Sequence, residues 1–325
     1  MELPRRIFLH LAAGAAALPA LSRFGWAQAY PTRPVHWIVS FPPGGGTDIT
    51  ARIIGQYLSD SLGQQFIIEN RPGAGGNVGM HSALSSAPDG YTIAFVGPNN
   101  AISATLYEKL PFDFIRDSVP VAGTMRLTNV MEVHPAFPAR TLAEFIAYAK
   151  ANPGKVNFAS GGIGTSPHMS GELLKAMTGI NIVHVPYRGA APALTDVLAG
   201  QVPVLFDNLP SSIPHIRDGG LRPLGVTAAK RAPALPEVPT IAETVPGYEA
   251  NVWYGIAAPK GTPPEIVEKL NRAVNAALAD EKMQTRMAEL GGEPMPMTPG
   301  EFGTLVANET EKWSKVIRAA GIKAE

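Results

Sequence analysis

The sequence predicts an α/β protein of two similar lobes joined by a two-strand hinge. Three observations point there. Short strand-like runs alternate with segments of helical period, the order of elements returns about 117 residues later, and 325 residues are too many for one small core.

Val35–Phe41 reads as a first strand running into FPPGGGTD, and Ile49, Ile53, Ile54, Tyr57, Leu58 and Leu62 follow at helical spacing. A second strand, Gln65–Glu69, leads into the Arg71–Gly76 loop, and a third, Tyr91–Val96, ends at Asn99-Asn100. The order then repeats. Val156–Ala159 enters SGGIGTSPH and a helix, Ile182–Val185 enters PYRGA, and Val202–Phe206 ends at Asp207-Asn208. Gly46-Thr47 matches Gly164-Thr165, and Arg71 matches Arg188. Each lobe should therefore carry a mainly parallel sheet flanked by helices. Val119–Val133 and Leu221–Thr227 read as the two crossing strands of the hinge, and Val252–Ala258 as part of the returning piece. The expected organisation is lobe 1 over 30–125, lobe 2 over 126–224, a return segment over 225–265, and helices over 266–325 packing on the lobes.

Charge is balanced, with 27 basic and 27 acidic residues, which argues against a basic nucleic-acid-binding stripe. Zero cysteine excludes disulfides, thiolate nucleophiles and cysteine-bound metal. The 33 Gly and 31 Pro exceed ordinary usage while 45% of residues remain apolar, so the surplus must punctuate ordinary elements. Arg5-Arg6, a short apolar stretch and Ala27-Gln28-Ala29 read as a twin-arginine-like export signal over 1–29, cleaved after Ala29. A periplasmic product is expected.

The glycine loops carry the chemistry. A glycine-rich turn feeding a helix exposes backbone N–H groups at the positive end of the helix dipole, which is an anion site without a basic side chain. Neither loop fits the phosphate-loop or dinucleotide pattern, and a carboxylate suits a few N–H groups and a hydroxyl. Gly44, Gly45, Gly46 and Thr47 in the first loop, and Gly161, Gly162, Gly164 and Thr165 in the second, are the candidate ligand contacts. Ser166-Pro167 reads as the N-cap and first residue of the second helix, leaving Thr165 free to face a ligand. Asp48 is read either as a helix cap or loop brace or as an acceptor for a ligand donor. Arg71 and Arg188 are either braces or ligand forks, and His168 is either a contact or a packed histidine. Asn99, Asn100, Asp207 and Asn208 end parallel strands, where open α/β sheets bind ligands, and are candidates too. No nucleophile elbow and no metal-ligand spacing appears, so no catalytic residue, metal or cofactor is expected.

Seven blocks, FPPGGGTD, ENRPGAGGNVG, PDGYT, ASGGIGTSPH, VPYRGAAPALTD, LPEVPTIAETVPGYEA and EKWSKVI, occur in order and span the chain beyond residue 29. In these the sequence resembles the Bug proteins, periplasmic solute-binding components of tripartite tricarboxylate transporters. The resemblance implies a type II periplasmic-binding-protein fold that closes on small organic carboxylates. It places the carboxylate-binding loops at Phe41–Asp48 and Ser160–Ser166. It also implies large and small membrane permease subunits as partners. A non-enzymatic, monomeric receptor is expected, with a sensor subunit binding the same ligand class as the alternative.

Overall fold

The computed structural model describes residues 30–324; the expected export signal lies outside the described residues. In the first half the order is β1 (Val35–Val39), α1 (Gly46–Leu62), β2 (Phe66–Asn70), α2 (Asn77–Leu84), β3 (Thr92–Val96), α3 (Pro98–Leu106), the short α4 (Phe114–Asp117) and the long strand β4 (Ser118–Val133). The second half follows with α5 (Leu142–Ala151), β5 (Val156–Ser160), α6 (Ser166–Thr178), β6 (Ile182–Pro186), α7 (Ala190–Leu198), β7 (Val204–Asn208), α8 (Leu209–Arg217) and β8 (Arg222–Val226). The chain closes with β9 (Asn251–Pro259), α9 (Pro264–Ala279), α10 (Glu281–Glu289), β10 (Glu293–Pro294) and α11 (Pro299–Ala320).

Local chemistry sets these limits. In α1, Ala51, Ile54 and Leu58 are buried at helical spacing, and Gly63 ends the helix in the left-handed region at φ 72° with its N–H on the Ser59 carbonyl. The third strand of the second half starts at Val204 rather than Val202, because Pro203 has no N–H to give a ladder.

The sheet runs β2-β1-β3-β9-β4-β7-β5-β6, with β8 and β10 also on β4. β2-β1-β3 and β6-β5-β7 are parallel triplets in the same relative order, so the duplication seen in sequence is present in topology. The expected mainly parallel sheets are these two triplets, and antiparallel strands join them. β9 pairs antiparallel with β3 and β4, and β4 pairs antiparallel with β7, β8 and β10, because the strands that carry the chain between the triplets run against them. β4 does cross: its first part pairs with β9 and its last part with β7 and β8. Strand β8 does not, since it pairs only with Val130–Val133 of β4. Within the expected return segment, Ala232, Leu235 and Val238 pack with Val130, Leu209 and Ile213, and the chain regains β3 only at β9.

Helix α11 packs across α3 and β4. Its Phe302 is fully buried and fills a notch left by Gly255 of β9, where a Cβ would lie 2.1 Å from the Phe302 ring and 2.6 Å from the Ala122 carbonyl oxygen. Gly255→Ala should therefore cost about 1–3 kcal/mol through overpacking. Urea denaturation will show a lowered midpoint; an unchanged midpoint would mean the notch does not hold α11.

Candidate functional site

Open α/β sheets bind ligands at the carboxyl ends of their parallel strands, where the following helices begin. Both triplets direct those ends to one small chamber of ≈ 40 Å³. Among the described residues five helices start at it: Gly46 opens α1, Pro98 opens α3, Ser166 opens α6, Ala190 opens α7, and Asn208 precedes α8. Each N-terminus carries roughly half a positive charge on N–H groups that have no partner within the helix. No Lys, Arg or His lines the chamber among the described residues, and Asp207 is its one charged residue.

The two glycine loops meet it differently. Gly45 caps α1 without a side-chain hydrogen bond, which leaves the first-turn N–H groups of α1 for an outside acceptor. At α6 the N-cap is Thr165 and not Ser166: the Thr165 hydroxyl accepts from the His168 N–H at 3.4 Å and donates to the Gly162 carbonyl at 2.7 Å. Thr165 is thus committed to its own helix, and Ser166 is the first helical residue with its hydroxyl toward Asn129 Oδ1 at 3.4 Å. The Gly46-Thr47 and Gly164-Thr165 pairs, matched by sequence, are not structural equivalents.

The second loop is also held from behind. The Gly162 N–H donates to Ser160 Oγ at 3.2 Å, and the Gly164 N–H donates to His168 Nδ1 at 3.2 Å. His168 stacks on His184 with centroids 4.1 Å apart, and His184 Nε2 is 2.7 Å from Ser160 Oγ. Burial, aided by the charge of Lys175, lowers His168 to about 4; burial first, then His168 and Lys175, lowers His184 to about 3. Both rings stay neutral and act as braces.

Of the residues expected at the site, Phe41, Gly45, Gly46, Thr47, Asn99, Gly161, Thr165, Ser166 and Asp207 line the chamber. Gly162 and Arg188 lie instead on a second, outer cavity, which Phe41 and Gly161 also reach. Gly44, Asp48, Ser160, Gly164 and His168 line neither. Asp48 is the brace of the first loop. Its carboxylate accepts from the Gly44 N–H at 3.0 Å, Arg52 Nε at 3.0 Å and Asn70 Nδ2 at 2.9 Å. Burial opposes its charge, but these donors outweigh burial and hold its pKa below the ordinary value. Arg71 is likewise a brace, pairing with Glu69 at 2.6 Å.

Pro42 of the first expected loop and Asn208 also line the chamber, whereas sequence reasoning missed Pro98, Pro167, Ala190 and Tyr254 as lining residues. Tyr254 matters most. It is 2% exposed, its hydroxyl has no protein partner, and that oxygen would lie 3.1 Å from a Cβ on Gly46. Burial, with Asp207 adding to it, pushes the hydroxyl well above the ordinary tyrosine range, so it serves as a donor. A tyrosine just before the glycine of β9 was the available signal, hidden in an otherwise apolar strand. Asp207 is buried, accepts from Ser211 Oγ and Ser212 Oγ, and is raised by burial to about 6.

The fold and chamber define a class: a two-triplet α/β binding protein whose internal site is built for an anion from helix N-termini. The family model described as Tripartite tricarboxylate transporter family receptor matches residues 50–322. BugT of Bordetella pertussis (strain Tohama I) is 38% identical over 300 residues, covering 91% of this chain and 92% of BugT. Among solved structures, R. palustris Rpa4515 with adipate is 40% identical with TM-score 0.88, covering 90% of this chain and 99% of that one. The periplasmic binding protein BugD is 33% identical with TM-score 0.87, covering 91% and 100%. The chain belongs to the tripartite tricarboxylate transporter receptor family, whose solved members are periplasmic binding proteins.

Because both imidazoles are lowered, the unfolded chain binds more protons than the folded one between the ordinary histidine value near 6.5 and about 4. Their stabilising contribution is full above pH 6.5 and is lost as pH falls toward 4. In His168→Asn the Oδ1 can replace Nδ1 for the Gly164 N–H, and the slope of melting temperature against pH in that window should become shallower. An unaltered slope would show that His168 is not the titrating brace.

Proposed function

We propose that this chain is a periplasmic receptor that captures a small organic carboxylate in the chamber and delivers it to a membrane transporter of large and small permease subunits. The observation that carries the reading is five helix N-termini on one chamber without a basic side chain. The adipate of Rpa4515 supports the ligand class. Export through the 1–29 signal, cleaved after Ala29, belongs to the same reading, as does action as a monomer without catalysis.

In this reading the carboxylate lies against the uncapped start of α1, with Thr47 and the Tyr254 hydroxyl as further donors and Asn99 at the start of α3. The two triplets with their helices act as lobes. β4 and the connection from Thr227 to Ala250 form the hinge, where Thr227 N–H donates to the Asn129 carbonyl at 3.0 Å and Ala250 N–H to the Thr227 carbonyl at 3.0 Å. Closure needs a ligand that binds the closed form better, and contacts from both sides of the chamber supply that difference.

Asp207 places a negative charge beside the anion. Its pKa is raised to about 6, so a fully ionised carboxylate should bind more tightly as pH falls through 6 and Asp207 protonates. Asp207→Asn should tighten binding of adipate several-fold at pH 7.5 and flatten the pH profile in calorimetry. Weaker binding by this variant would instead make Asp207 an acceptor for a ligand donor.

A thermal-shift screen of residues 30–325 against mono-, di- and tricarboxylates tests the function directly. A ligand at 100 times its dissociation constant stabilises by about 2.7 kcal/mol. A Cβ on Gly46 would lie 3.0 Å from Asn208 Cβ and 3.1 Å from the Tyr254 hydroxyl, so Gly46→Val should abolish the ligand shift while the protein stays folded. Retained affinity in Gly46→Val would move the site elsewhere.

A further inference from the structure

The inner chamber is much the smaller of two adjoining spaces. At ≈ 40 Å³ it is narrow, and its lining of helix starts suits a carboxylate head. The space continues outward. A second cavity of ≈ 750 Å³ shares Phe41, Pro42 and Gly161 with the inner one. Resting on the carboxylate reading above, we propose that this outer chamber is the subsite for the body of the ligand, and that the ligand is a carboxylate carried on an aromatic ring.

The walls argue for the ring. Phe41, Tyr107 and Tyr187 supply aromatic faces, Pro42, Pro72 and Pro186 supply flat apolar ones, and Ile163 completes the wall. Arg188 is the one charged residue of this lining, and it is exposed at the surface.

The chamber also has a defined shape, because the two halves touch around it. The Tyr107 hydroxyl donates to the Ile163 carbonyl at 3.3 Å, and a Cβ on Gly75 would lie 2.3 Å from that same oxygen. A Cβ on Gly189 would meet the Pro42 ring at 2.6 Å. The wall that reaches Ile163 is a run of positive φ angles: Gly73 at 140°, Ala74 at 46°, Gly75 at 62° and Gly76 at 98°. Ala74 is the one non-glycine with positive φ among the described residues. Left-handed backbone is disfavoured for residues with a Cβ and persists where the surroundings impose it. Here it brings the backbone of one half against the backbone of the other while keeping the cavity between them open.

Calorimetry with propionate, 3-phenylpropionate and adipate tests the assignment, because the first two share a head group and differ by a ring. The expected result is that 3-phenylpropionate binds at least tenfold more tightly than propionate. Tyr187→Ala, at a half-buried wall position, should erase at least threefold of that preference and leave propionate unchanged. Ile163→Asp should erase more. Equal affinities of the two monocarboxylates, or a Tyr187→Ala loss shared equally by both, would overturn the ring subsite while leaving a carboxylate receptor in place. Binding of none of the three would overturn the receptor reading and the ring subsite with it.

Discussion

The meeting of helix N-termini at the carboxyl ends of two parallel triplets is the constraint on which the rest depends. A β2-β1-β3 arrangement with helical connections sends every helix start to one edge of the sheet, and the inverted partner triplet brings its own edge to face it. The positive potential at that meeting point comes from the backbone and is fixed by the fold, so it needs no lysine or arginine. It does need close approach. Gly45 and Gly46 allow it, since a Cβ on Gly45 would lie 3.5 Å from Ala190 and one on Gly46 3.0 Å from Asn208. Larger residues would hold the halves apart and let water compete with the ligand for the same N–H groups.

The two halves share a topology and have diverged in role. At α1 the cap position is a glycine and the N–H groups are available, while Asp48 holds the loop from the far side through Gly44, Arg52 and Asn70. At α6 the N–H groups of the loop are largely used: Thr165 caps, Ser160 and His168 accept, and two neutral imidazoles close the back. The second half therefore offers shape and polar side chains more than free backbone donors. In the proposed reading a ligand carboxylate is held from one side and its surroundings are chosen from the other.

What the sequence showed and what it hid divides along the range of the interactions. Alternating strands and helices, the repeat, and the glycine loops are local patterns, legible from spacing and turn chemistry. The capping of α6 is local too, but Thr165 and Ser166 are both good caps, and only the backbone angles at the loop decide between them. The antiparallel strands at the centre follow from where the chain crosses, which pairing decides. Tyr254 is the clearest case. It arrives on β9, far along the chain from the loops, in a strand whose neighbours are all buried, so burial alone explained its type. Its unpartnered hydroxyl becomes informative only when Gly46 and Asn208 are beside it.

The surplus of glycine and the shortage of charge are one property seen twice. Contacts between the halves around the site are mostly glycine backbone against small or apolar groups, Gly75 on Ile163, Gly189 on Pro42, Gly44 and Gly45 on Ala191 and Ala190, with the Tyr107 hydroxyl on the Ile163 carbonyl as a polar contact. Among the described residues no ion pair joins one triplet's helices to the other's. An ion pair across such a seam would favour the shut form without a ligand, and a receptor that shuts empty loses affinity in proportion to the open form it no longer populates. A seam of glycine and proline contributes shape and little energy of its own. In the proposed reading the deciding contribution is then left to the anion at the helix N-termini, which is the condition for closure to report the ligand.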